Sequence, residues 1–185
     1  MHRHEYDLIL NIKSSNIVRA KKFHGCFRFI DDMCCLNDGG EFGKSFLEIY
    51  PEELELKCEH SGNHATFLDL DIRIEDGMFI YKLYDKHDGF PFHIVRMPNR
   101  ESNIPSYIFY GTILSEYLRI ARSTLRFEDF LPKVVSLAKR MLVQGAHKIK
   151  LFKQMNKAMA SHPDVFVGFS KTPHEIVKNI EHLLA

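Results

Sequence analysis

The chain has 185 residues, of which 45% are apolar and 26% charged, and a formal net charge of +1 at neutral pH. That length is enough to bury a real core, as one compact domain or one domain with a helical appendage, and the composition is that of an ordinary globular protein. No apolar run reaches the length of a bilayer span and Met1-His2-Arg3-His4-Glu5 leads into no signal-peptide core, so no membrane is expected and the expected compartment is intracellular, cytoplasmic or nuclear.

In chain order, residues 5–20 carry Leu8, Ile9, Ile12 and Val18 at helical spacing, without a clear start cap. The segment has the look of the last turns of something longer. Phe27-Arg28-Phe29-Ile30 and Met33-Cys34-Cys35-Leu36 then read as two strands interrupted by Asp31 and Asp32, which places both acids on the turn. An acidic dipeptide there is open to two readings. Asp side chains commonly hydrogen-bond nearby amides in ordinary turns, and a hairpin tip can also aim two carboxylates at a hard divalent cation that cancels their repulsion.

Asn37-Asp38-Gly39-Gly40 closes this hairpin, and 42–50 reads as a short helix stopped by Pro51. Leu54, Leu56 and Cys58 alternate with charged residues, which predicts a strand with one wet face. Residues 66–74 alternate as one strand, with Leu68, Leu70, Ile72 and Ile74 inward and Asp69, Asp71 and Arg73 outward. Asp76-Gly77 joins it to a second strand over 78–84. From Asn103 the period becomes helical, with Ile104, Ile108, Leu114, Tyr117, Leu118 and Ala121 on one face and Arg119, Arg122 and Arg126 on another. Aromatic residues near a helix start, here Tyr107 and Phe109, are more often core than ligand contacts. Further helices follow over 127–144, ended by Gly145, over 147–159 with Lys150, Lys153 and Lys157 in a stripe, and over 173–184 behind Thr172 as a cap. The expected fold class is α+β, an antiparallel sheet with covering helices followed by a small helical bundle.

The charge is unevenly spread. Residues 86–157 hold 13 Lys and Arg against 5 Asp and Glu, while the rest of the chain is acidic and contains the Asp pair. Such asymmetry suits a metal-binding site beside a polyanion-binding surface, and equally a solvated basic helix face. Cys26, Cys34, Cys35 and Cys58 have no zinc-finger spacing and read as reduced, mostly buried thiols; Cys58, His60 and His64 lack a fourth ligand.

The order Phe29-Ile30-Asp31-Asp32, Phe67-Leu68-Asp69-Leu70, Lys82-Leu83-Tyr84-Asp85-Lys86 and Ser102-Asn103-Ile104-Pro105 resembles the C-terminal palm and the thumb of a reverse transcriptase from a retroelement, of the Penelope-like type or a related one. The resemblance runs from about Tyr6 to about Leu151. It implies a partial palm over 1–100, a thumb over 101–160 and a C-terminal helical extension over 161–185. It implies RNA-directed DNA synthesis with two Mg²⁺ ions, with Asp31 as direct ligand, Asp32 as auxiliary, and Phe29 where a tyrosine is common, against the nucleic acid. The partners implied are an RNA template and DNA primer duplex, with dNTP bound by the full-length enzyme. Arg119, Arg122, Arg126, Lys150 and Lys153 would meet phosphates without reading sequence. A polymerase of this type also uses an upstream palm Asp and a fingers subdomain, which the residues from Met1 onward do not supply, so the chain by itself is expected to be inactive. The alternatives are a non-catalytic nucleic-acid-binding module or transposon remnant, and an α+β domain whose acidic turn and basic face are incidental.

Overall fold

A computed structural model describes residues 3–86, 90–92, 95 and 97–184. Among them are eight α-helices and two small antiparallel sheets, so the fold is mixed α+β with most of its order in helices. The chain divides into two compact units, Met1–Gly62 and Asn63–Ala185.

In the first unit, α1 (Arg3–Ser15) and α2 (Ile17–Lys22) replace the single helix expected over 5–20. The break falls at Asn16, whose backbone leaves the helical region and whose side chain accepts a hydrogen bond from the Arg19 amide, restarting the chain as a capped helix. A single 3₁₀ turn (Phe23–Gly25) then delivers the chain to β1 (Cys26–Phe29), which pairs antiparallel with β2 (Asp32–Cys35). α3 (Glu41–Ile49) follows and stops at Tyr50 in extended backbone ahead of Pro51, as its sequence requires. Ile12, Phe23, Phe42 and Ile49 form the buried centre of this unit, with Leu8, Ile9, Met33 and Phe46 packed around them. The strand expected at Leu54–Glu59 is absent: this stretch is irregular, with Leu54 and Leu56 exposed. Alternation alone does not make a strand when no edge is available to pair with it.

The second unit opens on a three-stranded antiparallel sheet, β3 (His64–Phe67), β4 (Leu70–Glu75) and β5 (Met78–Leu83), in that order. The run 66–74 is therefore two strands and not one. The chain reverses at Leu68-Asp69, where Leu68 takes a left-handed φ of 56°. Asp76-Gly77 makes the expected two-residue turn, with both residues at positive φ.

The helices α4 (Ser106–Arg122), α5 (Phe127–Val143), α6 (Lys148–Ser161), α7 (Pro163–Phe166) and α8 (Pro173–Leu184) follow. Their apolar stripes meet in one core, where Tyr117 stacks on Phe166 at 5.3 Å and Phe130 packs against Phe169 at 4.5 Å. Phe109 is fully buried in that core, whereas Tyr107 lies on the exposed side of α4, so the core reading holds for one aromatic of the two. Gly145 ends α5 with φ 89°, and the Ala146 amide returns to the Met141 carbonyl at 2.9 Å.

The compact units do not follow the boundaries expected at 100 and 160. Leu83 of β5 shares the helical core, and the Leu125 amide donates to the Tyr81 carbonyl, so sheet and helices fold as one body. Phe166, Phe169, Ile176 and Ile180 close the same core, which makes 161–185 part of it and not an appendage.

Candidate functional site

The β1–β2 hairpin turns on two residues, Ile30 and Asp31, with Phe29 directly opposite Asp32. Asp32 thus begins β2 and does not share the turn with Asp31. This loop form favours glycine at its first position, yet Ile30 occupies it at φ 52°, a conformation costly for a β-branched side chain. Arg28 holds the turn in place. Its Nε donates to the Ile30 carbonyl at 2.8 Å, and its Nη1 reaches the buried Glu5 carboxylate of α1 at 2.6 Å and the Tyr50 hydroxyl at 2.7 Å. The Tyr50 hydroxyl also donates to Glu5, so one cation ties the tip to two helices' ends.

Strand alternation sorts the hairpin's side chains. Cys26, Arg28, Met33 and Cys35 lie on the face that packs toward Ile12 and Phe42; Phe27, Phe29, Asp32 and Cys34 lie on the other. On that second face Phe29 is 53% exposed, beside the exposed Asp32 and Asp31. Among the described residues neither acid has an ion-pair or hydrogen-bond partner, and no third His, Cys, Asp or Glu joins them within ligand distance. Beneath the hairpin is a cavity of about 610 Å³ lined by Glu5, Ile9, Phe23, Ile30 and Met33 among others.

The second unit offers an internal comparison. Leu68-Asp69 repeats the form of Ile30-Asp31, a bulky aliphatic residue at positive φ followed by an acid, but here Arg119 Nη1 meets Asp69 at 3.2 Å. The same turn geometry carries a neutralised acid in one unit and unneutralised acids in the other.

The five cations expected at phosphates fall into two groups. Arg119 is held by Glu116 (2.9 Å) as well as Asp69, and Arg126 by Glu75 at 2.8 Å, so both are committed to carboxylates within the unit. Arg122, Lys150 and Lys153 are exposed and carry no ion pair among the described residues. Lys150 lies 5.6 Å over the Tyr110 ring. α6 bears Lys148, Lys150, Lys153 and Lys157 and no acidic residue at all, which makes it the clearest cationic surface of the unit.

Two clusters escaped the sequence reading. Asp71, expected to face solvent, is 8% exposed and sits among His64 Nε2 (2.6 Å), Arg73 Nη2 (3.3 Å) and Lys82 Nζ (3.9 Å), with Lys82 also reaching Asp129 at 3.8 Å. Burial works to raise its pKa, but the hydrogen bonds from His64 and Arg73 hold the carboxyl below the ordinary range. His64 is thus engaged by Asp71, and Cys58 is exposed, its thiol directed to the His60 carbonyl at 3.4 Å.

The other cluster is Cys26, Cys35 and Asp38, whose ligand atoms all lie within 4.8 Å of one another. The cysteines are half-buried or exposed, not buried as expected, because a two-stranded hairpin covers only one of its faces. The Cys35 thiol donates to Cys26 and holds the Cys26 thiol below its usual range, while that same bond, together with burial, pushes Cys35 up. A two-residue turn at Ile30-Asp31 sets Cys26 opposite Cys35; centring it on Asp31-Asp32 moves the register and hides the pair.

No helix among the described residues is long and apolar enough to cross a membrane. Comparison with protein-family models, with characterised proteins and with solved structures finds no match to this chain.

Proposed function

We propose that this chain is the carboxylate-hairpin and duplex-binding portion of a retroelement reverse transcriptase, working in RNA-directed DNA synthesis on an RNA template and DNA primer with dNTP. The observation that carries the reading is the hairpin tip, where Asp31 and Asp32 are exposed and without a cation partner among the described residues, beside an exposed aromatic, Phe29. Two carboxylates offer oxygen alone, the donor a hard cation takes; Asp31 and Asp32 would hold Mg²⁺, which would supply Lewis-acid activation of a primer hydroxyl and stabilisation of the leaving pyrophosphate. Arg28 holds the backbone of the turn that carries Asp31, through the Ile30 carbonyl and Glu5. Two acids fill only part of an octahedral shell, so the 185-residue chain binds Mg²⁺ weakly and does not extend a primer by itself. α6 supplies the backbone contacts through Lys150 and Lys153, with Arg122 as a further candidate.

A second reading, a binding module without catalysis, is favoured by one observation: the lysine stripe of α6 needs no further residues to meet phosphates, whereas the acid pair has no third ligand among the described residues. One set of measurements separates the two. Substituting Mn²⁺ for Mg²⁺, the polymerase portion shows paramagnetic broadening of the Ile30–Met33 amides that Asp31→Asn abolishes, and broadening elsewhere, or none, refutes the metal reading. Anisotropy of a labelled RNA–DNA duplex is expected to give a log affinity against log salt slope that falls by about 0.7–0.9 for each of Lys150→Ala and Lys153→Ala. Duplex binding unaffected by Asp31→Asn, without metal-induced broadening, leaves the binding module. Primer extension by the chain alone overturns the incomplete-site argument.

A further inference from the structure

The base of the same hairpin carries a second, chemically different donor set. Cys26 and Cys35 are directly opposed in the β1–β2 ladder. They occupy a non-hydrogen-bonded position, since the Leu36 amide donates to the Gly25 carbonyl at 2.9 Å in the next pair. Side chains approach most closely at such positions. Asp38, three residues beyond β2, brings its carboxylate to the two sulfurs. That carboxylate is already aimed: Oδ1 accepts from the Gly40 amide at 3.1 Å and Oδ2 from the Phe42 amide at 3.0 Å, where it caps the start of α3. Each oxygen keeps a lone pair.

We propose that Cys26, Cys35 and Asp38 form a binding site for a thiophilic divalent cation of the zinc class, with water in the fourth position. Tetrahedral zinc with metal–sulfur bonds of about 2.3 Å and metal–oxygen bonds of about 2.1 Å places its ligand atoms about 3.6–3.8 Å apart. The present separations, all within 4.8 Å, need only small side-chain rotations to reach it. The donor chemistry is distinct from that of Asp31 and Asp32: two thiolates and one carboxylate select a soft or borderline cation, not magnesium. The sulfurs and the carboxylate lie together with no lysine or arginine paired to Asp38 among the described residues, so a bound cation meets an uncompensated cluster.

The fold gives such an ion a structural task. The buried centre of the first unit is four side chains, Ile12, Phe23, Phe42 and Ile49, and a two-stranded hairpin is marginal without further support. A cation shared by β1, β2 and Asp38, the residue that caps α3 from the preceding turn, ties the hairpin to the helix beside it, and small cores are commonly completed by such a metal.

The test is a titration of the reduced 185-residue chain with Co²⁺, which reports tetrahedral coordination by its visible bands and thiolate ligation by sulfur-to-cobalt charge transfer. One equivalent is expected to bind with both signals, to be displaced by Zn²⁺, and to lose affinity by about tenfold or more in Cys26→Ser and Cys35→Ser. Asp38→Asn, which keeps a good capping side chain and therefore the α3 start, is expected to weaken binding by about tenfold. Cys34→Ser and Cys58→Ser leave the titration unchanged. Octahedral cobalt without charge transfer, equal affinity in the Cys26 and Cys35 variants, or a Cys26–Cys35 disulfide that forms as fast with Zn²⁺ as without it overturns the proposal.

Discussion

Asp71→Asn is the most informative single change in the second unit. The acid is 8% exposed and two cationic groups, Arg73 and Lys82, converge on it beside the His64 imidazole, Arg73 and Lys82 being 46% and 37% exposed. Breaking a fully buried ion pair costs about 3–5 kcal/mol, while an exposed pair is worth about 0–1 kcal/mol. With one partner buried and the others half in water, and with Asn retaining one acceptor oxygen, the expected loss is about 2 kcal/mol. Because Asp71 is held below the ordinary carboxylate range by His64 and Arg73 despite its burial, its contribution is complete above the unfolded value of about 3.9 and is lost as the pH falls through the lower folded value. Urea unfolding followed by tyrosine fluorescence reads this out, since the chain has no Trp and Tyr81, Tyr84, Tyr107, Tyr110 and Tyr117 all belong to the second unit. A slope of about 2 kcal/mol per molar turns the loss into a midpoint lowered by about 1 M at pH 7, with the difference shrinking below about pH 4. An unchanged midpoint at pH 7, or a difference that persists undiminished at pH 3, refutes the reasoning.

Two further expectations concern the hairpin. Ile30→Gly removes a left-handed penalty of about 1–2 kcal/mol and adds about 0.5–1 kcal/mol of chain entropy, so amide exchange along β1 and β2 is expected to slow by about threefold; faster exchange contradicts the strain argument. Gly25→Ala places a Cβ 2.6 Å from the Leu36 carbonyl oxygen and displaces the strand it faces, at about 1–3 kcal/mol, read as accelerated exchange of the Leu36 amide; an unchanged rate shows that the contact yields freely.

Much of the second unit is legible in its sequence because its helices are long, strongly periodic and packed on one core. α4 and α5 begin within a few residues of where the period predicts, and Gly145 and Asp76-Gly77 act as their chemistry requires. The failures have a common cause: side chains that act against their local preference because a distant partner holds them. Nothing near Leu68 announces a turn, yet the Tyr84 amide bonding the Asp69 carbonyl and Arg119 bonding the Asp69 carboxylate stabilise one there. Asp71 follows the alternation to the predicted face, but His64 and Lys82 from the flanking strands cover it, so a polar face becomes a buried one. At the candidate site the acid pair is visible from the residues alone. The role of Arg28 is not, because its partners Glu5 and Tyr50 lie 23 and 22 residues away in the chain. Counting charges likewise misleads about the basic stretch, since Arg119 and Arg126 pair with the acids Asp69 and Glu75 of the sheet region and only part of the excess remains as a field.

α6 carries its lysines at a thermodynamic disadvantage. Lys150, Lys153 and Lys157 recur at spacings of three and four residues, where like charges oppose the helix by about 0.2–0.5 kcal/mol per pair, and no acid on the helix offsets them. The helix persists because Leu151, Phe152, Met155, Ala158 and Met159 are buried beneath the stripe. Added salt therefore acts on this element in opposite directions: it relieves the self-repulsion of the free helix and weakens the grip of the same lysines on a polyanion.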